Sequence, residues 1–335
     1  MSSAPSWWRH RGPRAWLLWP LSLLFAAVVR IRRRMFAAGV LRASRLPVPV
    51  VVIGNLIAGG AGKTPLTLHL ARELSRLGWH PLIVTRGHGG SASSPREVGS
   101  SDDAAQCGDE ALLLARRSGV PVWTGRARAA AAAAGLAAHP ECNVVLCDDG
   151  LQHYALVRDI EIVVFDRRGI MNGFHLPAGP LREPMSRLSA VDAVVLNGTA
   201  HAPPGGAAVF RMTLHGELFE RLDDRSVRCM AEGLAGLRLH AVAGIGEPAR
   251  FFDHLRMLGL AVVEHPFPDH HAYSAADLEF ADCDAILLTE KDAVKCHGLS
   301  DIPMWVLPVE AHLDPDLAAV ISVRLTEWMN GPPSS

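Results

Sequence analysis

The stretch from Val48 to Pro65, VPVVVIGNLIAGGAGKTP, constrains the fold more than any other part of the chain. It begins with a β-branched run, Val50 to Ile53, of the kind that forms a buried parallel strand. A glycine-rich loop follows, and Pro65 stands where the first turn of a helix tolerates a missing N–H group. This order of strand, loop and helix predicts a phosphate-binding loop, whose backbone N–H groups wrap an anion. An ordinary glycine-rich turn between a strand and a helix is the alternative.

The loop contains the residue types that bind a nucleoside triphosphate together with Mg²⁺. Lys63 can reach the outer phosphates, and the Thr64 hydroxyl can ligate Mg²⁺. The predicted nucleotide-binding positions are Ile57, Ala58, Gly59, Gly60, Ala61, Gly62, Lys63 and Thr64. One position departs from the strict pattern G-x-x-x-x-G-K-[ST], because Ile57 stands where that pattern has glycine.

Length and composition exclude some classes of protein. A chain of 335 residues is long enough for one large or two ordinary domains. A net charge of -1 and a pI near 7.0 argue against a general nucleic-acid-binding protein. The six cysteines form no C-x-x-C pair, which favours reduced thiols in a cytosolic compartment.

The first 45 residues differ from the rest of the chain. An apolar segment, Ala15 to Val29, has arginines on both sides, so it lacks the charge asymmetry of a single membrane span. Its length of about 15 residues is also below the roughly 20 that a spanning helix needs. Trp16 and Trp19 suit the lipid headgroup layer. We predict that residues 1–45 form a membrane-associated helical segment, peripheral or shallowly inserted. A helix packed in the core and a true span are the alternatives.

The remaining chain alternates between strand and helix signals, which is typical of an α/β fold. Strands are predicted at 81–85, 120–123, 143–147, 160–165, 193–196, 239–243, 261–265, 285–289 and 304–307. We predict a P-loop NTPase-like domain at 46–200, a mostly parallel sheet with helices on both faces, whose last strand is 193–196. A composition shift at 201–206 precedes a smaller α/β C-terminal domain, 201–335, which ends in a helix near 315–330. The polar tract 91–103 is predicted to be a mobile loop.

Two acidic residues follow a buried strand downstream of the phosphate loop. Asp148 and Asp149 end the run NVVLCDD, and such carboxylates commonly organise Mg²⁺ in phosphoryl-transfer enzymes. Thr64, Asp148 and Asp149 are therefore the predicted metal ligands. Capping of a following helix by the aspartates is the alternative.

Together these motifs resemble the tetraacyldisaccharide 4'-kinase family, the lipid A 4'-kinases of Gram-negative bacteria. The matching segments are GNL…GGAGKTP at 54–65, GDE at 108–110, DDGLQH at 148–153, LPAGPLREP at 176–184, FPDH at 267–270 and TEKD at 289–292. The resemblance implies transfer of the γ-phosphoryl group of ATP to the 4'-hydroxyl of a tetraacyl glucosamine disaccharide 1-phosphate, a late step of lipid A biosynthesis. It also implies that the protein is located at the cytoplasmic face of the bacterial inner membrane. The expected partners are the lipid substrate and the membrane surface, with neither nucleic acid nor an obligatory protein partner.

The same resemblance points to Asp109 as the base that orients the acceptor, supported by His270, with Lys63 completing the catalytic set. On residue type alone, Asp109 is equally well a helix N-terminal acid and His270 a loop histidine. Second-tier contacts with the acceptor or the metal are expected from Arg86, Glu110, Gln152, Arg182, Glu183 and Asp269. Arg86 and Arg182 suit the phosphate that the acceptor already carries.

Two other functions stay open on the residues alone. A soluble P-loop metabolic kinase or ligase shares the nucleotide loop but has no need of the apolar N-terminal segment. A membrane-recruited ATPase switch commonly has a lysine before the double glycine of the loop, where this chain has Ala58.

Overall fold

A computed structural model describes residues 5–92, 94–198 and 206–331, and within these ranges the strands form two sheets. The predicted composition boundary at 201–206 lies outside the described residues except for Gly206. The strands are β1 (Val50–Gly54), β2 (Pro81–Thr85), β3 (Arg96–Glu97), β4 (Val122–Thr124), β5 (Val144–Asp148), β6 (Ile160–Asp166), β7 (Ala193–Asn197), β8 (Ala208–His215), β9 (Phe219–Arg221), β10 (Arg228–Cys229), β11 (Leu239–Ala243), β12 (Val262–Pro266), β13 (Ala285–Thr289), β14 (Met304–Leu307) and β15 (Glu310–Asp314). The helices are α1 (Pro13–Ala37), α2 (Lys63–Arg76), α3 (Ala104–Cys107), α4 (Asp109–Arg117), α5 (Arg128–Ala138), α6 (Pro248–Met257), α7 (Glu290–Ala293) and α8 (Leu317–Asn330).

The large sheet has the strand order β15-β8-β7-β6-β1-β5-β2-β4-β3 and is parallel except at its two edges. Alternate residues of β1 point to opposite faces because side chains alternate along a strand. Val51 and Ile53 pack in a core with α2, α4 and α8, whereas Val50 and Val52 pack in a second core with α5. The predicted mostly parallel sheet with helices on both faces is therefore confirmed.

Two features of the large sheet differ from the sequence prediction. Strand β7 is not the last strand, because β8 pairs with it and β15 pairs with β8. Helix α8 packs against the large sheet and α2, through Ile321 and Leu325, instead of completing the smaller lobe. The C-terminal chain thus returns to the sheet that carries the phosphate loop, so the predicted domain limits of 46–200 and 201–335 stay a prediction.

The small sheet has the order β10-β9-β14-β13-β11-β12, with a parallel centre from β11 to β14. The chain enters it between His215 and Phe219 and leaves it between Leu307 and Glu310. Helix α7, which follows β13, contacts α4, which belongs to the large sheet. The two parts of the structure therefore meet where α7 packs against α4.

Helix α1 is longer than the apolar segment from which we predicted it. It spans 25 residues, continues through the arginines at 30–34, and is long and apolar enough to cross a membrane by length and composition. The prediction that the segment is too short to span was therefore wrong about helix length. Only 11% of its apolar window is buried, which argues against a core helix. The buried Ser22 fixes it to the body, since its Oγ donates to the carbonyl of His175 at 2.8 Å and accepts from the N–H of Ala178 at 3.0 Å.

The polar tract 91–103 contains one short ordered strand instead of an unbroken loop. Residues Arg96–Glu97 form β3, which pairs antiparallel with β4 at the edge of the large sheet. Arg96 also pairs with Asp102 at 2.6 Å, which closes the tract on itself. Position 93 lies outside the described residues.

Candidate active site

A cavity of about 1710 Å³ lies between the two sheets and extends to α1. The phosphate loop, the end of β2, the start of α6 and residues 266–270 form its walls. Phe25, Val28 and Val29 of α1 close one end with apolar side chains. The carboxyl ends of parallel strands meet along this edge, which is where ligands bind in such sheets.

The phosphate loop is held in shape by side chains on both sides. Gly62 has a φ of 91°, and a Cβ atom there would lie 2.3 Å from Nδ2 of Asn197, so only glycine fits. The same Asn197 amide donates to the carbonyl of Ala61 at 3.1 Å, and Asn55 donates to the carbonyl of Gly59 at 2.8 Å. Helix α2 begins at Lys63 directly after the loop, so its N-terminal N–H groups face the cavity.

The first two positions of the predicted loop have a structural role. Ile57 is fully buried and bridges to Leu181, which explains how the chain dispenses with glycine there. The N–H group of Ala58 donates to the carbonyl of Pro180 at 2.9 Å. Nucleotide contacts at Ile57 and Ala58 stay a prediction. The N–H group of Ala58 already has the carbonyl of Pro180 as its acceptor.

The predicted metal ligands lie close together. Strands β1 and β5 pair with Ile53 opposite Asp148, and Thr64 lies in the first turn of α2. Thr64 Oγ1 is 3.5 Å from Oδ2 of Asp148, and Thr67 Oγ1 donates to Oδ1 of the same carboxyl at 3.1 Å. Burial, reinforced by the charge of Glu110, raises the pKa of Asp148 to about 7. A buried carboxylate with so little compensating charge is suited to a divalent cation.

Asp149 is placed differently from its neighbour. Burial alone would raise the pKa of Asp149, but the positive charges of Lys63 and Arg182 outweigh it and lower that pKa. Lys63 Nζ lies 3.4 Å from Oδ1 of Asp149. Asp149 also has a φ of 49°, a conformation that is costly outside glycine and that is retained mostly at functional sites.

Asp109 and His270, which we predicted from the resemblance, are in contact across the cavity. His270 Nδ1 lies 2.9 Å from Oδ2 and 3.1 Å from Oδ1 of Asp109, which is the first residue of α4 and only 5% exposed. Burial would raise the pKa of Asp109, but the hydrogen bond from His270 and the charge of Lys291 lower it overall. His270 also has a positive φ, 61°.

Lys291 contacts His270 on the side opposite Asp109. It was not among the predicted site residues. Its Nζ lies 3.2 Å from Nε2 of His270 and 3.1 Å from carboxylate oxygens of both Glu110 and Asp269. Burial lowers the pKa of Lys291, but these carboxylates raise it well above its usual range, so the ammonium is charged. An ammonium has donors only, so Nε2 of His270 accepts and the imidazole proton sits on Nδ1, facing Asp109. The TEKD motif contained the signal, because Lys291 is its third residue.

The predicted acceptor-contacting residues are divided between the cavity and the protein interior. Arg182 Nη1 is 3.5 Å from Oδ1 of Asp149 and 3.5 Å from Oε1 of Gln152. Gln152 in turn donates to Glu183 at 3.0 Å. Glu183 is fully buried, and Tyr154 donates to its other oxygen, so both oxygens already have partners. Arg86 lines the cavity at the end of β2.

Arg128 was missing from the sequence prediction, although it lines the same cavity. It starts α5 and is 7% exposed. Its position in an alanine-rich helix hid it, and the available signal was an arginine four residues after the end of β4.

The fold and this site define the class of protein: a P-loop phosphotransferase with a two-walled cleft.

Comparison with known proteins narrows that class to a family. The family model described as Tetraacyldisaccharide-1-P 4'-kinase matches residues 14–326. The chain is 53% identical over 327 residues to the tetraacyldisaccharide 4'-kinase of Azoarcus sp. (strain BH72), covering 97% of this chain and 96% of that protein. It is 54% identical over 319 residues to the protein of the same name from Dechloromonas aromatica (strain RCB), with 95% and 94% covered. This chain belongs to the tetraacyldisaccharide-1-P 4'-kinase family.

A solved structure of the same family agrees. The crystal structure of "apo" form LpxK from Aquifex aeolicus in complex with ATP has a TM-score of 0.79 and 28% sequence identity to this chain. The match covers 93% of this chain and 99% of that one. The expected family and fold are thus confirmed. Family membership favours a tetraacyldisaccharide 4'-kinase over a soluble metabolic kinase or ligase and over an ATPase switch.

Proposed function

We propose that this protein transfers the γ-phosphoryl group of ATP to the 4'-hydroxyl of a tetraacyl disaccharide 1-phosphate. The observation that carries the proposal is the joint placement of a phosphate loop and an Asp109–His270 pair around one cavity, in a chain of this family. Phosphoryl transfer needs neutralisation of the phosphate charge and a group that orients the acceptor, and the two walls supply one each.

The phosphate side of the cavity fits a triphosphate with Mg²⁺. Gly60 has open space where a side chain would stand, and the start of α2 presents its N–H groups there. Thr64 and Asp148, with Asp149 beside them, would hold the cation, whose positive charge neutralises the phosphate oxygens. Among the described residues, no group of three or more His, Cys, Asp and Glu side chains forms a complete cage. That is typical of Mg²⁺, which keeps waters and nucleotide phosphates as ligands.

The acceptor side would be organised by Asp109. Its lowered pKa keeps it ionised at neutral pH, so it can accept the proton of the attacking hydroxyl. His270 holds the carboxylate through Nδ1, and Lys291 holds His270 in that tautomer. Lys63 would stabilise the charge on the transferred group. Glu110, Gln152, Arg182 and Asp269 line the same cavity and are the proposed contacts of the sugar.

The apolar end of the cavity would receive the lipid at a membrane surface. Leu17, Leu24 and Val28 of α1 are 79%, 63% and 56% exposed, and this face continues into the cavity through Phe25 and Val29. An exposed apolar face of this size is typical of a membrane contact. All six cysteines are free, which fits a reducing compartment. We therefore place the protein on the cytoplasmic face of the inner membrane, peripheral or shallowly inserted.

The test is a phosphotransfer assay with purified full-length protein, γ-labelled ATP and a tetraacyl disaccharide 1-phosphate in mixed micelles. The expected product is a lipid that carries two phosphates, with the label at the 4' position. The matched control is the same lipid with a blocked 4'-hydroxyl, which should take up no label. ATP hydrolysis without any labelled lipid would contradict the proposal.

A further inference from the structure

The segment 172–182 lies between α1 and the phosphate loop and forms hydrogen bonds with both. On the side of α1 the attachment point is Ser22, which is 2% exposed in a helix whose other buried residue is Ala15. The Ser22 hydroxyl accepts from the N–H of Ala178 at 3.0 Å and donates to the carbonyl of His175 at 2.8 Å. Because both hydrogen bonds go to the same segment, they fix α1 to it in one position.

The residues just before α1 hold the same segment. Trp8 Nε1 donates to the carbonyl of Pro177 at 3.0 Å, and the carbonyl of Trp8 accepts from the N–H of Asn172 at 2.9 Å. The side-chain amide of Asn172 donates to the carbonyl of Trp7 at 3.0 Å and to that of Ala178 at 2.8 Å. The N-terminal part of the chain is therefore hydrogen-bonded to the segment 172–182 both before α1 and within it.

The segment itself is closely packed. The N–H of Gly179 donates to the carbonyl of His175 at 2.9 Å, and the N–H of Leu181 donates to the carbonyl of Phe174 at 3.1 Å. A Cβ atom at Gly179 would lie 2.2 Å from Oδ1 of Asn172, so no side chain fits there. Close-packed structure transmits a displacement because it has no free space to absorb one. A shift at the α1 end of the segment would therefore reach its other end.

That other end pairs with the start of the phosphate loop. Leu181 forms an antiparallel bridge with Ile57, and both side chains are buried. The N–H of Ala58 donates to the carbonyl of Pro180 at 2.9 Å. Ala58 directly precedes Gly59, where the glycines of the loop begin. The position of the loop N–H groups therefore depends on where the segment 172–182 lies.

We propose that Ser22 is a positioning residue for the phosphate loop, so that α1 is a structural part of the nucleotide site as well as the proposed membrane contact. Ser22 acts through Ala178 and the segment 172–182 on Ala58. The inference rests on the proposed function only for the identity of the nucleotide, ATP. A helix that served as an anchor alone would affect KM for the micellar lipid and leave ATP binding unchanged.

The first test titrates a non-hydrolysable ATP analogue with Mg²⁺ into the full-length protein in a calorimeter, without any lipid acceptor. Ser22→Ala leaves the N–H of Ala178 and the carbonyl of His175 without their partner. Its Kd for the analogue should rise by roughly 5- to 50-fold, which is the usual range of coupling between linked sites. Because no acceptor is present, failure of the kinase assay would not affect this result.

Leu21→Ala is the matched control, because it removes a 54% exposed side chain from the neighbouring position of α1. It should raise KM for the micellar lipid and keep the wild-type Kd for the analogue. An unchanged Kd in Ser22→Ala would overturn the proposal, and so would an equal rise in both variants.

Amide hydrogen exchange gives a readout that needs neither nucleotide nor kinase activity. The N–H of Ala58 should exchange faster in Ser22→Ala, because its hydrogen bond to Pro180 opens more often. The N–H groups of β6 in the same sheet are the internal control and should exchange as in the wild type. Unchanged exchange at Ala58 would overturn the proposal. Equal acceleration in β6 would also overturn it, since Ser22 would then only stabilise the fold.

A second variant serves if Ser22→Ala fails to fold. Trp8→Phe removes the indole donor to the carbonyl of Pro177 and leaves a ring of similar character in place. It should raise the Kd for the analogue and speed exchange at Ala58, by less than Ser22→Ala would because one hydrogen bond is lost and not two. Wild-type values of both quantities in Trp8→Phe would overturn the proposal.

Discussion

The Nδ1 atom of His270 lies 2.9 Å from the Oδ2 atom of Asp109, although 161 residues separate the two in the chain. Asp109 starts a helix on the large sheet, and His270 lies in a loop that follows a strand of the small sheet. The pair therefore exists only when the two sheets are correctly placed against each other. Lys291 lies in α7 and Lys295 just after it, and both bring positive charge to Asp109 from the side of the small sheet.

Alanine variants of Asp109 and His270 should not have additive effects. Each single variant should lose roughly 100-fold or more in kcat, and the double variant should lose little beyond that, because cooperating groups fail as a unit. KM for ATP should change little, since neither residue belongs to the phosphate loop. Steady-state kinetics of the four proteins tests this. Losses that multiply in the double variant would show that the residues act independently.

The pH profile gives the same pair a second test. The pKa of Asp109 is lowered below its usual value near 4, so activity that depends on the ionised carboxylate is lost only as pH falls through that lowered value. Removing His270 removes the hydrogen bond that lowers this pKa. The acid limb of kcat should therefore move to higher pH in His270→Ala, and it should vanish in Asp109→Ala. An unmoved limb in His270→Ala would exclude Asp109 as the group that titrates.

Lys291→Met should weaken the positioning of His270 and raise the pKa of Asp109. Without the ammonium at 3.2 Å, Nε2 of His270 loses its donor, while the Asp109 carboxylate still accepts from Nδ1. The charge of Lys291 also helps to lower the pKa of Asp109, so the acid limb of kcat should move to higher pH in this variant, with a fall in kcat. Lys295→Met is the matched control and should move the limb less, because the charge of Lys295 contributes less to that lowering. An unmoved acid limb in Lys291→Met would remove the assigned role.

The phosphate loop should depend on Lys63 and Thr64 chiefly during phosphoryl transfer. Lys63→Ala and Thr64→Ala should each lower kcat by roughly 100- to 1,000-fold, the usual effect of losing one preorganised charge-stabilising group. Arg76→Ala removes a 69% exposed cation from the end of the same helix and should leave the rate unchanged. Near-normal turnover of either loop variant would refute the phosphate-loop assignment.

Helix α1 should lose membrane binding when its exposed face is charged. Leu17→Glu and Leu24→Glu place a carboxylate on side chains that are 79% and 63% exposed, so the fold should be unaffected. Both variants should leave anionic vesicles in a flotation assay and keep the melting temperature of the wild type. Val323→Glu, at a 60% exposed position of α8, is the control and should float as the wild type does. Equal flotation of all four proteins would place the membrane contact elsewhere.

The sequence predicted the central strands and the phosphate loop because their signals are local. Val50 to Ile53 form a continuous β-branched run, and the glycines and Lys63 follow at fixed spacing. Strand β8 was missed because only Phe210 and Met212 are buried along it, which is a weak apolar signal. Helix α8 returns to the large sheet because side chains such as Leu325 pack in its core. Such a long-range contact has no local sequence pattern.

Site residues that belong to a sequence motif were predicted. Site residues that only tertiary packing brings to the cavity were not. Asp109 and His270 were placed by the resemblance, since residue type alone left both open. Arg128 belongs to no motif, and only packing shows that it is buried at the cavity with its guanidinium 3.1 Å from the carbonyl of Asp149. Ile57 departs from the loop pattern, yet the loop keeps its form, because Ile57 is buried and its backbone bridges to Leu181.

The edge strand β15 pairs with β8, with His215 opposite Glu310, so the chain leaves the large sheet and re-enters it at neighbouring positions. Everything between them, including the whole small sheet, is topologically an insertion at the tip of a β-hairpin. The host retains the phosphate loop with Lys63, while the insert carries His270 and Lys291. The host also carries Asp109, so the insert supplies the groups that hold the proposed base and not the base itself.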